Sequence, residues 1–116
     1  MNVQIKRVYE PAEDADGYRV LVDRLWPRGI KKVDLSFDLW AKELAPSTEA
    51  RKEFAHKAEN FERFRNRYKA ELNANPEAIT CAKKLADLHQ PVTLLYAARD
   101  PEVNHARVLA GWLRAF

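Results

Sequence analysis

The second and third strand-like runs of this chain are held apart by a long stretch whose apolar residues recur at helical spacing, and that spacing constrains the fold most. The runs are Tyr18 to Arg24, with Val20-Leu21-Val22 at its centre, and Val92-Thr93-Leu94-Leu95-Tyr96-Ala97-Ala98. Three successive apolar residues in a strand predict burial on both faces. Strands joined through helices imply a crossover connection, which favours parallel pairing. The expected fold is α/β: a small, mainly parallel three- to four-stranded sheet flanked by helices, in one domain spanning 1–116.

The intervening stretch reads as a series of helices. Phe37, Trp40, Ala41 and Leu44 follow the i, i+3, i+4, i+7 pattern and predict a helix capped by Asp34 or Ser36 and ended by Pro46. Ser47 or Thr48 can cap the next. Phe54, Ala58, Phe61, Phe64, Tyr68 and Leu72 form one apolar stripe, compatible with one long helix or with a second helix capped at Asn60. Asn75-Pro76-Glu77 combines a cap, a first-turn proline and an acid at the positive end of the helix dipole. Asp100-Pro101-Glu102 repeats that signal, so the last helix is expected to begin there. A first strand lies over Val3 to Tyr9, at a sheet edge. The eight-residue link from Glu10 to Gly17 is too short for a helix, which leaves an antiparallel pairing of the first two strands open.

The chain has 116 residues, of which 47% are hydrophobic and 32% charged. That balance suits a soluble domain with a real core. No apolar run approaches the roughly 20 residues that span a bilayer. Met1 to Arg7 carries no signal-peptide core. The single cysteine, Cys81, suits a reducing compartment and reads as a small buried hydrophobe. A cytoplasmic protein without membrane contact is expected. The net charge of +3 is mild. Its distribution says more, because Arg24, Arg28, Lys31 and Lys32 fall together with no acid among them.

That basic cluster belongs to Asp23-Arg24-Leu25-Trp26-Pro27-Arg28-Gly29-Ile30, which directly follows the second strand. Guanidinium groups present planar donor forks to anions, and Trp26 offers a flat apolar wall. In open α/β sheets, ligands bind beyond the carboxyl ends of the strands. If the second and third strands are neighbours, Arg24, Arg28 and Arg99 converge there, beside the last helix and its free N–H groups. Trp26 and Tyr96 would form walls, with Asp100 and Asn104 nearby. His105 and Asp23 are the candidate proton-transfer groups. The bland alternatives are that Asp100 caps a helix, Asp23 pairs with Arg24, and the arginines serve structure. The three histidines are too far apart for a metal motif. With three glycines the chain has no nucleotide-binding glycine loop, and no motif calls for a cofactor.

Taken together, Arg19 to Gly29, Trp40 to Ser47, Phe61 to Leu72, Thr93 to Asp100 and Asn104-His105-Ala106 resemble the YeaO-like family, within domain of unknown function 488. The resemblance covers nearly the whole chain and implies a compact bacterial α/β domain with signature residues near the strand ends. Matching positions are Arg24, Trp26, Pro27, Arg28, Gly29, Trp40, Lys42, Pro46, Ser47, Asp100 and Asn104. Phe61 stands where the resemblance leads one to expect Trp, and Arg99 where Lys is common. The resemblance implies no established activity or catalytic roles. Three functions therefore stand: binding of a small anionic ligand carrying phosphate or carboxylate, with catalysis an open question; nucleic-acid binding through the Arg28 to Lys32 loop and basic helix faces; and a protein-interaction module using Trp26 and the arginines.

Overall fold

The run Val92–Tyr96, buried at all five positions, is paired on both of its edges. In the computed structural model, which describes residues 1–116, it is the fourth strand of one parallel sheet. The strands are β1 (Val3–Arg7), β2 (Tyr18–Leu21), β3 (Leu39–Trp40) and β4 (Val92–Tyr96), in the order β1-β4-β2-β3. Val92 sits opposite Val3 on one side and Tyr18 on the other. Helices α1 (Thr48–Phe54), α2 (Phe61–Ala74) and α3 (Pro76–Ala86) connect β3 to β4, and α4 (His105–Leu113) follows β4. No helix is long and apolar enough to cross a membrane.

The two faces of the sheet are covered differently. Val20, Val22, Val92, Leu94 and Tyr96 join buried residues from all four helices in one large core. Leu21 and Leu95, of opposite parity, meet Val8 and Leu35, with Trp26, Ile30, Phe37 and Trp40 packed around them. Largely irregular chain after β1 and β2 thus covers the second face without an α-helix.

That division corrects the helix expected over Phe37 to Leu44. Phe37 and Trp40 pack on the second face, whereas Ala41 and Leu44 enter the helical core. A helix would put all four on one stripe. Instead the segment is β3 followed by a single 3-10 turn, Lys42–Leu44. The open antiparallel option for β1 and β2 is also overturned. β4 lies between them, and the link returns across the second face, where Gln4 reaches the carbonyl of Ala15 and Lys6 pairs with Asp16. The fully buried β4 gains most from the central position, where both its edges and both its faces leave water.

The long aromatic stripe is broken. Ala55 and His56 both adopt positive φ (48° and 55°), ending α1 before α2 begins at Phe61. Asn60 stands at the start of α2 without accepting a capping bond; its amide donates to the carbonyls of Glu53 and Phe54 and ties α1 to α2. Ser47 caps α1 by accepting from Ala50 N–H, and its hydroxyl donates to Glu71 at 2.5 Å. Ser47→Ala is expected to cost about 1–2 kcal/mol in urea unfolding, since the cap and the tether to α2 are lost together. Asn75 and Pro76 start α3 as expected. Cys81 is buried, and burial pushes its thiol up to about 11.

A cationic cleft at the carboxyl ends of β2 and β4

β2 and β4 are neighbours, but the chain leaves them toward opposite faces. After β2 it covers the Leu21 side, and after β4 it enters α4 on the helical side. Divergence of this kind opens a crevice at the carboxyl edge of an α/β sheet. Here the crevice is a cleft of about 380 Å³, and Asp23, Arg24, Trp26, Arg28, Asn104 and His105 all line it.

Asp23 fastens the floor. Its Oδ2 accepts from Ala97 N–H at 3.0 Å, bridging β2 and β4, and its carbonyl accepts from Trp40 Nε1 at 2.7 Å. Its Oδ1 lies 2.9 Å from Nε2 of His105, the first residue of α4. Both atoms are closed to solvent and neither makes a well-aligned hydrogen bond, so the contact is a charge pairing available to the protonated imidazole. Asn104 is the N-cap of α4: its Oδ1 accepts from Arg107 N–H, and its amide donates to the Asp100 carbonyl, both at 2.8 Å.

The arginines have no acid partners. Arg24 donates to the Pro46 carbonyl from Nε (3.3 Å) and Nη2 (3.1 Å), which turns the loop before α1 toward the cleft. Arg28 is exposed, and its position is set through its carbonyl, which accepts from Tyr9 Oη at 3.0 Å. Trp26 is both wall and anchor. Its indole donates to the Ile30 carbonyl at 2.6 Å, and its ring meets Phe37 and Trp40 edge-on. All peptide bonds are trans, Trp26–Pro27 included.

Three expected members lie elsewhere. Arg99 and Asp100 are exposed and do not line the cleft, and Tyr96 is buried in the helical core. Parity explains Tyr96: it shares the side of Val92 and Leu94, facing the helices. Asp100 does not begin the last helix. Its Oδ1 accepts from the N–H groups of Glu102 and Val103, and those of Val103 and then Glu102 hold its carboxyl below the usual range. It closes a separate turn, and the helix waits for Asn104. That turn carries the chain out of the sheet and takes Arg99 with it.

Sequence reasoning missed Arg51 and His56, which line the cleft from α1 and the turn after it, with Phe54 and Phe64 beside them. Nothing in the spacing of Arg51 separates it from the other charged residues of the α1–α2 surface. Only the tertiary placement of α1, packed on α2, brings it into the same cleft as Arg24 and Arg28.

The fold and cleft define a class: a small, wholly parallel α/β domain with an arginine-lined crevice at its topological switch point. Residues 2–115 match the family described as the inactive DUF488-N3 subclade, and the chain belongs to that DUF488, YeaO-like family. It is 56% identical to the uncharacterized protein YeaO of Escherichia coli K12 over 99% of both chains. It is also 43% identical to uncharacterized proteins of Mycobacterium bovis (Mb3100c) and Mycobacterium tuberculosis (Rv3073c), over 93% of this chain and 90% of each relative. No solved structure matches it significantly.

Proposed function

We propose that this protein binds a small anionic ligand, bearing phosphate or carboxylate, in the cleft between Arg24, Arg28 and Arg51. One observation carries the reading: three guanidinium groups without a carboxylate partner line a single crevice at the carboxyl edge of the sheet. Unpaired cations in a partly enclosed space raise the local concentration of anions. A volume of about 380 Å³ is within the range of small-molecule sites. Trp26, Phe54 and Phe64 supply apolar wall.

The reading is one of binding, not turnover. His105 and Asp23 turn their closest atoms toward each other and away from solvent. Their role here is to hold α4 against β2 and β4. The family description as an inactive subclade supports the same view. The absence of a spanning helix and the lone buried cysteine fit a cytoplasmic site of action.

A thermal-shift panel of inorganic phosphate, small carboxylates, phosphorylated metabolites and short oligonucleotides tests the proposal. At about 100 times its dissociation constant, a bound ligand adds about 2.7 kcal/mol to stability. That shift is expected from a small anion, and Arg28→Ala/Arg51→Ala should abolish it. Neither side chain makes a hydrogen bond or ion pair within the chain, so the variant should keep its unliganded stability within about 0.5 kcal/mol. A shift only from oligonucleotides, collapsing steeply with salt, would instead favour the nucleic-acid reading.

A further inference from the structure

The cleft offers guanidinium donors and no open carboxylate oxygen. Asp23 Oδ2 is taken by Ala97 N–H, and Asn104 Oδ1 by Arg107 N–H. The Pro46 carbonyl is taken by Arg24 and that of Arg28 by Tyr9. The carbonyls of Ala97 and Ala98 are both taken by the Arg7 guanidinium, at 3.1 Å and 2.9 Å. Asp23 Oδ1, the remaining carboxylate oxygen, is closed to solvent against His105. By contrast, the side chains of Arg28 and Arg51 donate to nothing in the chain, and Arg24 spends only part of its fork on Pro46.

The charge is equally one-sided. Three lining arginines stand against a single lining carboxylate, Asp23, a difference of two positive charges. A ligand carrying an ammonium meets three guanidinium groups and no open carboxylate oxygen, which disfavours it. A ligand head with acceptors only and two negative charges fits both the hydrogen-bonding pattern and the charge.

Resting on the anion-binding reading above, we infer that the ligand is a phosphomonoester dianion, its ester group lying against Phe54, Phe64 and Trp26. A phosphodiester has one negative charge and one fewer terminal oxygen, and a carboxylate has one charge and two oxygens. Phosphomonoester selectivity then comes from forked donation by Arg28 and Arg51 to separate oxygens.

Isothermal titration at pH 8 and low salt compares phenyl phosphate, methyl phenyl phosphate and benzoate, on the wild type and on Arg28→Gln/Arg51→Gln. Circular dichroism checks that the variant is folded. At pH 8 phenyl phosphate is a dianion, because the second phosphate pKa is about 6. Phenyl phosphate is expected to bind at least tenfold more tightly than the other two and to lose that advantage in the variant. Equal affinity for all three, lost together in the variant, would overturn the dianion inference and leave the anion cleft standing. No binding of any probe, or binding unchanged in the folded variant, would overturn the anion cleft and the inference with it.

Discussion

Gly17→Ala is expected to lower the unfolding free energy by about 4 kcal/mol and the melting temperature by roughly 15 °C. Gly17 has φ of 65° and ψ of −129°, a conformation that side chains oppose. A Cβ there would lie 2.2 Å from the Pro91 carbonyl oxygen and 2.9 Å from its carbon. That carbonyl cannot retreat freely, because it accepts from Tyr18 N–H at 2.8 Å and forms the first rung between β2 and β4. Strain and overlap therefore fall on the same point, where the β1–β2 link passes under the central strand. Urea unfolding checks this. A loss below 1 kcal/mol would mean that the link relaxes without disturbing the sheet.

Asp16→Asn should cost about 3–5 kcal/mol, the usual penalty for leaving a buried charge unpaired. Asp16 and Arg19 are 3% and 5% exposed, and their side chains form an ion pair. Asp16 also accepts from Lys6 Nζ at 3.1 Å and from Glu13 N–H at 3.0 Å, while its own carbonyl accepts from Thr93 Oγ1 at 2.7 Å. Lys6 keeps Glu13 after the substitution, so Arg19 is the group left without a countercharge.

The same carboxylate sets an acid limit. Burial pushes its pKa up, but the Glu13 N–H, Lys6 and Arg19 together outweigh that and hold it below the usual value. A group whose folded pKa is depressed stabilises the fold above its unfolded pKa and loses that contribution as pH falls through the folded one. Wild-type stability should therefore drop below about pH 4. In Asp16→Asn this part of the slope should be absent. Urea midpoints between pH 2 and pH 7 measure both; parallel curves for the two proteins would remove Asp16 as the cause.

Both residues belong to a link that local sequence left ambiguous. The acids and proline from Glu10 to Gly17 read correctly as a loop, but a loop does not state which strand it passes. Three parts of the α/β expectation rest on local chemistry and hold: the apolar runs of β2 and β4, the Ser47 and Asn75 caps, and the helical stripe over α2. Their periodicity and capping act within a few residues, so the sequence alone carries them. The segment after β2 was legible as a cluster of Asp23, Arg24, Trp26 and Arg28 for the same reason. The residues are adjacent, and a strand end delivers them together.

What the tertiary structure alone decided lies where one local pattern admits two answers. Phe37 to Leu44 has helical spacing, yet its side chains divide between two cores on opposite faces of the sheet, and burial on both outweighs the helix. Asp100-Pro101 signals a helix start, yet the structure begins α4 after Asn104, whose side chain caps it from a buried position. Arg51 enters the cleft and Arg99 leaves it because α1, packed on α2, borders the cleft while the Asp100 turn carries Arg99 to the surface. Side-chain type and spacing determine which elements can form. Which charges end up facing one another depends on β4 taking the centre of the sheet, since that placement buries the most apolar surface and sets the position of every other element.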